Sequence, residues 1–238
     1  GKLREKDRFK RPVIAFILIP AHHYGPRKDL AEKINGENYQ LGGNKYLTHN
    51  LHYPEHDMIL NRIAANRINN LPEDNIRIIF VPSYLNGNDG IFNMPYFDLL
   101  IGFDLTVYPS YYEPWGYTPM ESLAFKIPSV TTTLTGFGLW VKGEFPNPDH
   151  GIQVIHRDDF NDKDVVEKIA NAIQAYESFN SEEIAYARDT AFQISRIALW
   201  SNLAEYYKKA YHIALEKVLD RVDRFVETER VEQLPPLE

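Results

Sequence analysis

The chain has 238 residues, 44% apolar and 25% charged, which suits one folded domain with a filled core and no bias toward disorder. A net charge of −7 argues against a nucleic-acid surface, and the absence of cysteine rules out disulfides and thiol catalysis. No apolar run approaches ~18 residues and none follows the basic start, so neither a membrane span nor a signal peptide is predicted, and the composition suits the cytoplasm.

Gly1 to Lys6 reads as the tail of a helix entered partway. The first clear strand is Val13–Ile19. Three histidines and Glu55 crowd the stretch His49 to His56 and invite a zinc hypothesis. It has no second ligand set at a recognised spacing, and Pro54 interrupts any helix, so a polar, hydrogen-bonded loop is expected and no metal. Ile76–Val81 is the next strand, and Tyr96 then opens a short amphipathic helix, where pattern alone favours a core tyrosine.

The most informative stretch follows. Leu105–Tyr108 reads as a buried strand ending at Pro109. Thr118 is the expected N-cap of a helix with Pro119 at its first position, running to Phe125 and stopping before Pro128. Ser129–Thr132 is then a strand, so the segment is a βαβ unit whose loop lies at the carboxyl ends of parallel strands, where such sheets bind ligands. The amides around Gly116, Tyr117 and Thr118 sit at a helix start suited to a diphosphate, and Gly116 permits close backbone approach. Glu113 is either an ordinary loop carboxylate or an acceptor for sugar hydroxyls. Glu121, three residues after Thr118, either closes a capping box or reaches a ribose diol.

Downstream, Phe145 to Pro148 marks a surface loop and Ile152–Ile155 a weaker strand. Val165, Val166, Ile169, Ala170, Ile173 and Tyr176 form a helical stripe opened by Asn161 or Asp162. Asn180 with Glu183 can cap a second helix through Ile184, Ala187, Ala191, Ile194 and Ala198. A third continues through Leu203, Tyr207 and Val218 toward Phe225. The expected organisation is a Rossmann-like, doubly wound parallel α/β domain over 1–180, carboxyl-terminal helices over 181–226 and a tail over 227–238.

The uninterrupted run Tyr108 to Pro119, within Phe103 to Gly138, strongly resembles the animal- and fungal-type glycogen synthases. The likeness extends back through Ile76 to Asn86 and, loosely, Val13 to Phe16, and thins after about Val141. The spacing of Glu113 and Glu121 is shared by many retaining glycosyltransferases; the wording of the run is far more specific. The resemblance implies the carboxyl-terminal half of a GT-B fold, with UDP-glucose as donor, glycogen or another α-1,4-glucan as acceptor, and transfer with retention. It implies that Glu113 lies beside the reacting carbon, that Glu121 holds the ribose and that Tyr96 packs on uracil. Trp115, Gly116, Tyr117 and Thr118 would line the diphosphate. It implies no metal and no cofactor, because a helix dipole and basic side chains offset the diphosphate charge and the leaving phosphate assists the incoming hydroxyl.

The family also carries an amino-terminal acceptor domain, and an Arg and a Lys for the diphosphate, upstream of what corresponds to Val13. The chain therefore reads as a carboxyl-terminal portion, doubtful as a catalyst alone, with the first strand of its sheet absent. The sheet is expected to close that gap or to borrow a strand from a second copy in a homo-oligomer. Eukaryotic members bear an arginine cluster on the second terminal helix that senses glucose-6-phosphate. Here only Arg188 and Arg196 lie between Ser181 and Trp200, so ordinary salt bridges and no such activation are expected. Other readings are a related enzyme using ADP-glucose or a sucrose-type reaction, and a non-catalytic nucleotide-sugar-binding module.

Overall fold

Apolar, β-branched runs become parallel strands here, and the stretches between them become helices. The structure, a computed structural model, describes residues 9, 11–34, 45–71, 73–145 and 150–231. The predicted helix tail at Gly1 to Lys6, the Pro146 to Pro148 part of the surface loop and the tail beyond 231 lie outside the described residues. The first half contains β1 (Val13–Leu18), β2 (His23–Pro26), α1 (Lys28–Ile34), β3 (His49–Leu51), α2 (Met58–Ala65), β4 (Ile76–Val81) and α3 (Tyr96–Leu100). The second contains β5 (Thr106–Val107), α4 (Tyr117–Ala124), β6 (Ser129–Thr132), α5 (Gly136–Glu144), β7 (Ile152–Ile155), α6 (Asp162–Ser178), α7 (Ser181–Ile197) and α8 (Trp200–Val231).

β1 pairs in parallel with β4, from Val13 opposite Ile76 to Leu18 opposite Val81. β5, β6 and β7 form a second parallel ladder with β6 central. Two parallel ladders with helices between successive strands are the parts of a Rossmann-like α/β fold. Among the described residues no ladder joins β1 to β5. The Phe16 ring of β1 lies 5.3 Å from Phe103, in the segment leading into β5, and 6.1 Å from Phe92.

β6 is buried at all four positions although it reads Ser-Val-Thr-Thr. Its hydroxyls are satisfied inside, Ser129 with Thr106 at 2.6 Å and Thr132 donating to the Ser110 carbonyl at 2.7 Å. One core cluster gathers Leu47, Leu51, Leu60 and Phe80, and another Val130, Ile155 and Val165 under α6. The short antiparallel pair β2–β3 has no counterpart in the sequence reading. Its Gly-Pro turn and histidines lack strand alternation, and His49 is held there by its Thr48 and Asp89 contacts.

The first two helical stripes appear largely as patterned, except that Val166 faces solvent, whereas Tyr207 and Val218 of the third are exposed. Asn180 and Glu183 form the predicted capping box, with Asn180 N–H donating to Glu183 at 2.8 Å and Glu183 N–H to Asn180 at 3.0 Å. The chain divides into two compact units, 1–192 and 193–238, a division that falls inside α7. In the second unit Trp200, Tyr207 and Tyr211 stack successively along α8, with ring spacings of 5.6 and 6.4 Å.

Gly151, just before β7, lets α7 pass at backbone distance, since a Cβ there would lie 2.7 Å from the Ala191 nitrogen. Gly151→Ala is expected to cost about 1–3 kcal/mol through overpacking, lowering Tm by roughly 2–4 °C per kcal/mol in a thermal melt. An unchanged Tm would contradict that packing.

Candidate active site

The loop between β5 and α4 is laced to the turn between β6 and α5 by backbone hydrogen bonds. Glu113 N–H donates to the Leu134 carbonyl at 3.0 Å, Gly136 N–H to the Glu113 carbonyl at 3.1 Å and Phe137 N–H to the Trp115 carbonyl at 2.7 Å. The approach demands glycine. A Cβ on Gly136 would land on the Pro114 carbonyl oxygen, and one on Gly138 would land on the Thr132 carbonyl. Thr135 caps α5, its side chain accepting from Gly138 N–H at 2.9 Å.

Gly116 has φ +104°, and it, not Thr118, is the N-cap of α4. The predicted cap is corrected by two residues: glycine adopts the left-handed turn that carries the loop directly into Tyr117, before Thr118 can act. Thr118 and Pro119 therefore fall at the second and third helical positions, where proline is still tolerated within the first turn. The shift also removes the capping-box reading of Glu121, which lies at the fifth helical position, beyond reach of the cap amide. The amides of Tyr117 and Thr118 have no intrahelical acceptor, as at every helix start, and face the positive end of the dipole.

The Glu113 carboxylate lies beside this turn, its Oε2 3.3 Å from where a Gly116 Cβ would be. Burial raises the pKa of Glu121 above the usual carboxylate range. Tyr96 is half-buried, and its pKa is pushed well above the ordinary tyrosine value by burial, by a hydrogen bond with Tyr108 and by the nearby Glu121. Tyr96, Glu121 and the α4 start thus share one end of the sheet. The Trp115 ring packs into an aromatic cluster on α5, 5.7 Å from Phe137 and 6.0 Å from Trp140, which anchors the loop. Tyr117 is exposed.

One further residue braces the loop and was not singled out in the sequence. Arg157, buried just after β7, lies 3.4 Å beneath the Tyr111 ring and donates to the Pro109 carbonyl and, at 2.9 Å, to Asp162. Tyr111 donates to the same Asp162 oxygen at 2.8 Å. The clasp holds Asp162 below the usual carboxylate range, chiefly through the Tyr111 hydroxyl. A lone arginine at the carboxyl end of a predicted parallel strand was the available signal.

The histidine-rich stretch is organised otherwise. His49 Nε2 meets the Asp89 carbonyl at 2.9 Å and Nδ1 meets Thr48 at 2.8 Å, while His52 packs 4.0 Å from Tyr24. Arg188 pairs with Asp104 at 3.3 Å. A concavity of about 410 Å³ lies at the amino ends of β5 to β7, lined by Leu105, Ser129, Ile152 and Tyr176, on the opposite rim from Glu113.

With this geometry, comparison with known proteins is specific. Residues 44–234 match the family model described as glycogen synthase. The chain belongs to the glycogen synthase family. It is 32% identical over 174 residues to glycogen (starch) synthase isoform 2 of Saccharomyces cerevisiae, covering 72% of this chain and 25% of that protein. It is 31% identical over 180 residues to the glycogen (starch) synthase of Caenorhabditis elegans, covering 75% and 27%. It is 32% identical over 171 residues to the liver glycogen (starch) synthase of Mus musculus, covering 71% and 24%. The chain thus spans about a quarter of the length of these relatives.

Gly143, on α5, has open space where a Cβ would go, unlike Gly136 on the same helix. Gly143→Ala is expected to stabilise by roughly 0.5–1 kcal/mol through helix propensity, whereas Gly136→Ala destabilises by about 1–3 kcal/mol. Opposite Tm shifts for the two variants check the lacing of the loop; shifts of one sign would refute it.

Proposed function

We propose that this chain is the donor-binding part of a glycogen synthase, transferring glucose from UDP-glucose to the non-reducing end of an α-1,4-glucan with retention. The supporting observation is the convergence of the Glu113 carboxylate, the left-handed Gly116 and the open start of α4, with Tyr96 and Glu121 one helical turn away. The diphosphate accepts hydrogen bonds from the amides of Tyr117 and Thr118, where the helix dipole favours negative charge. Gly116 keeps that approach free of a side chain, and Trp115, pinned to α5, fixes the loop that carries it. Tyr96 offers its ring to the uracil, a contact worth roughly 1–3 kcal/mol. Glu121 accepts from the ribose diol.

Glu113 stands beside the glucose and stabilises positive charge as the anomeric carbon approaches an oxocarbenium ion, with the departing phosphate taking the proton of the attacking hydroxyl. The hydrogen bonds of the Glu113 N–H and carbonyl fix the backbone from which this carboxylate extends. The acceptor glucan binds across a cleft whose other wall comes from an amino-terminal acceptor domain of the whole enzyme.

The raised pKa of Glu121 sets a pH signature. A carboxylate whose folded pKa is raised contributes stability below its unfolded value near 4.3 and loses it as pH rises through the folded value. A ribose diol donating to Glu121 favours the ionised form, so UDP affinity gains from this residue as pH rises through that same interval. Calorimetric titration at pH 7 is expected to show saturable UDP binding over ADP, weakened roughly tenfold or more in Glu121→Gln. The ratio between wild type and variant shrinks toward pH 4.5, a comparison that cancels titration of the nucleotide itself. A ratio independent of pH, or ADP bound as tightly as UDP, would count against these assignments.

A further inference from the structure

Three hydroxyls link the proposed base platform to the proposed phosphate site. Tyr96 Oη lies 3.0 Å from Tyr108 Oη, Tyr108 Oη lies 2.8 Å from Ser122 Oγ, and Ser122 Oγ donates to the Thr118 carbonyl at 3.1 Å. The direction of the chain follows from counting protons. A carbonyl only accepts, so the single Ser122 proton goes to Thr118; Ser122 therefore accepts from Tyr108, and Tyr108 from Tyr96. Ser122 is wholly buried and Tyr96 and Tyr108 are half-buried, so each link is shielded from competing water.

The backbone at the middle of this chain is fixed. Tyr108 N–H donates to the Val130 carbonyl at 2.8 Å, tying it to β6. Tyr96 opens a five-residue helix, its own N–H donating to the Leu85 carbonyl at 2.9 Å. α3 is held against α4 by the stacked pair Phe97 and Phe125, 5.5 Å apart, and by the hydroxyl chain.

We infer that Tyr108 and Ser122 are positioning residues that set the Tyr96 ring at a fixed height over the first turn of α4, holding the base and the diphosphate of the nucleotide in one register. This rests on the donor-site reading above. Because the Tyr96 proton is committed to Tyr108, Tyr96 serves the ligand through its ring face and not as a hydrogen-bond donor. The chain uses only neutral groups beside Glu121, so it holds the platform without adding charge next to a partly buried carboxylate.

The test titrates the 238-residue chain, with Tyr96→Phe, Tyr108→Phe, the double variant and Glu121→Gln, against UDP, uridine and inorganic pyrophosphate. Both single variants keep their rings, and a thermal melt verifies folding. Tyr108→Phe is expected to weaken UDP and uridine by the same factor, roughly three- to tenfold, and to leave pyrophosphate unchanged. Tyr96→Phe is expected to match it, and the double variant to be no worse than Tyr108→Phe alone, since both single variants break the shared Tyr96–Tyr108 link. Unchanged UDP affinity in Tyr108→Phe, an equal loss for pyrophosphate, or multiplying losses in the double variant would each overturn the inference. If UDP binds and Glu121→Gln weakens it while Tyr108→Phe does not, only the hydroxyl chain is refuted. If the wild-type chain binds neither UDP nor pyrophosphate, the donor-site reading fails and the inference fails with it.

Discussion

The structure around Glu113 depends on one close approach, that of Gly136 to the Pro114 carbonyl. Three backbone hydrogen bonds between the two turns require it, and any side chain at Gly136 would separate them. Once the turns are joined, Glu113 is bonded through its own N–H and carbonyl, Trp115 is delivered to the aromatic face of α5, and Gly116 must bend through a positive φ to enter α4. The left-handed cap is thus a consequence of the lacing. It brings the helix start and its unpaired amides close to the Glu113 carboxylate. Two successive βα turns cooperate here to fix the Glu113 backbone.

Charge is handled by separation. Arg157, a buried cation near the loop, is occupied by the Pro109 carbonyl, the Tyr111 ring and Asp162, so its positive charge braces the loop from the side. The positive potential at the start of α4 comes instead from backbone dipoles, which cannot be neutralised by rearrangement of a side chain. Glu121 remains partly desolvated, and its carboxylate is disfavoured until a donor approaches. A preorganised dipole and an unsatisfied acceptor together suit a ligand that carries both phosphate oxygens and hydroxyl donors.

Much of this was legible in the sequence. The five parallel strands follow from short β-rich runs between turn residues, and the α7 cap from Asn180 and Glu183. The misassignments share a cause, in that tertiary backbone contacts override local signals. Thr118-Pro119 is a strong start signal by composition, yet the lacing to α5 forces the cap onto Gly116. α5 itself was not anticipated, because Gly136 and Gly138 are poor helix formers; they are there to admit the Pro114 and Thr132 carbonyls. Arg157 and Tyr108 lie 44 and 5 residues from Glu113 by sequence numbering, and nothing in periodicity marks either as part of the same site.

The two faces of the Glu113 turn also divide rigidity from adaptability. On the β6–α5 side the two turns are joined by three backbone bonds and a glycine contact, with the Thr135 cap and the Trp115 ring added to them. On the α3 side one backbone bond, Tyr96 N–H to the Leu85 carbonyl, is joined by hydroxyls and stacked rings: Tyr96 to Tyr108, Tyr108 to Ser122, Phe97 on Phe125. A reacting carbon tolerates little displacement, whereas a base can be held by a ring face over a range of positions. The stiffer restraints therefore fall where the chemistry is proposed and the softer ones where recognition is. Substitutions on the hydroxyl side would therefore alter the platform at Tyr96 without disturbing the backbone that carries Glu113.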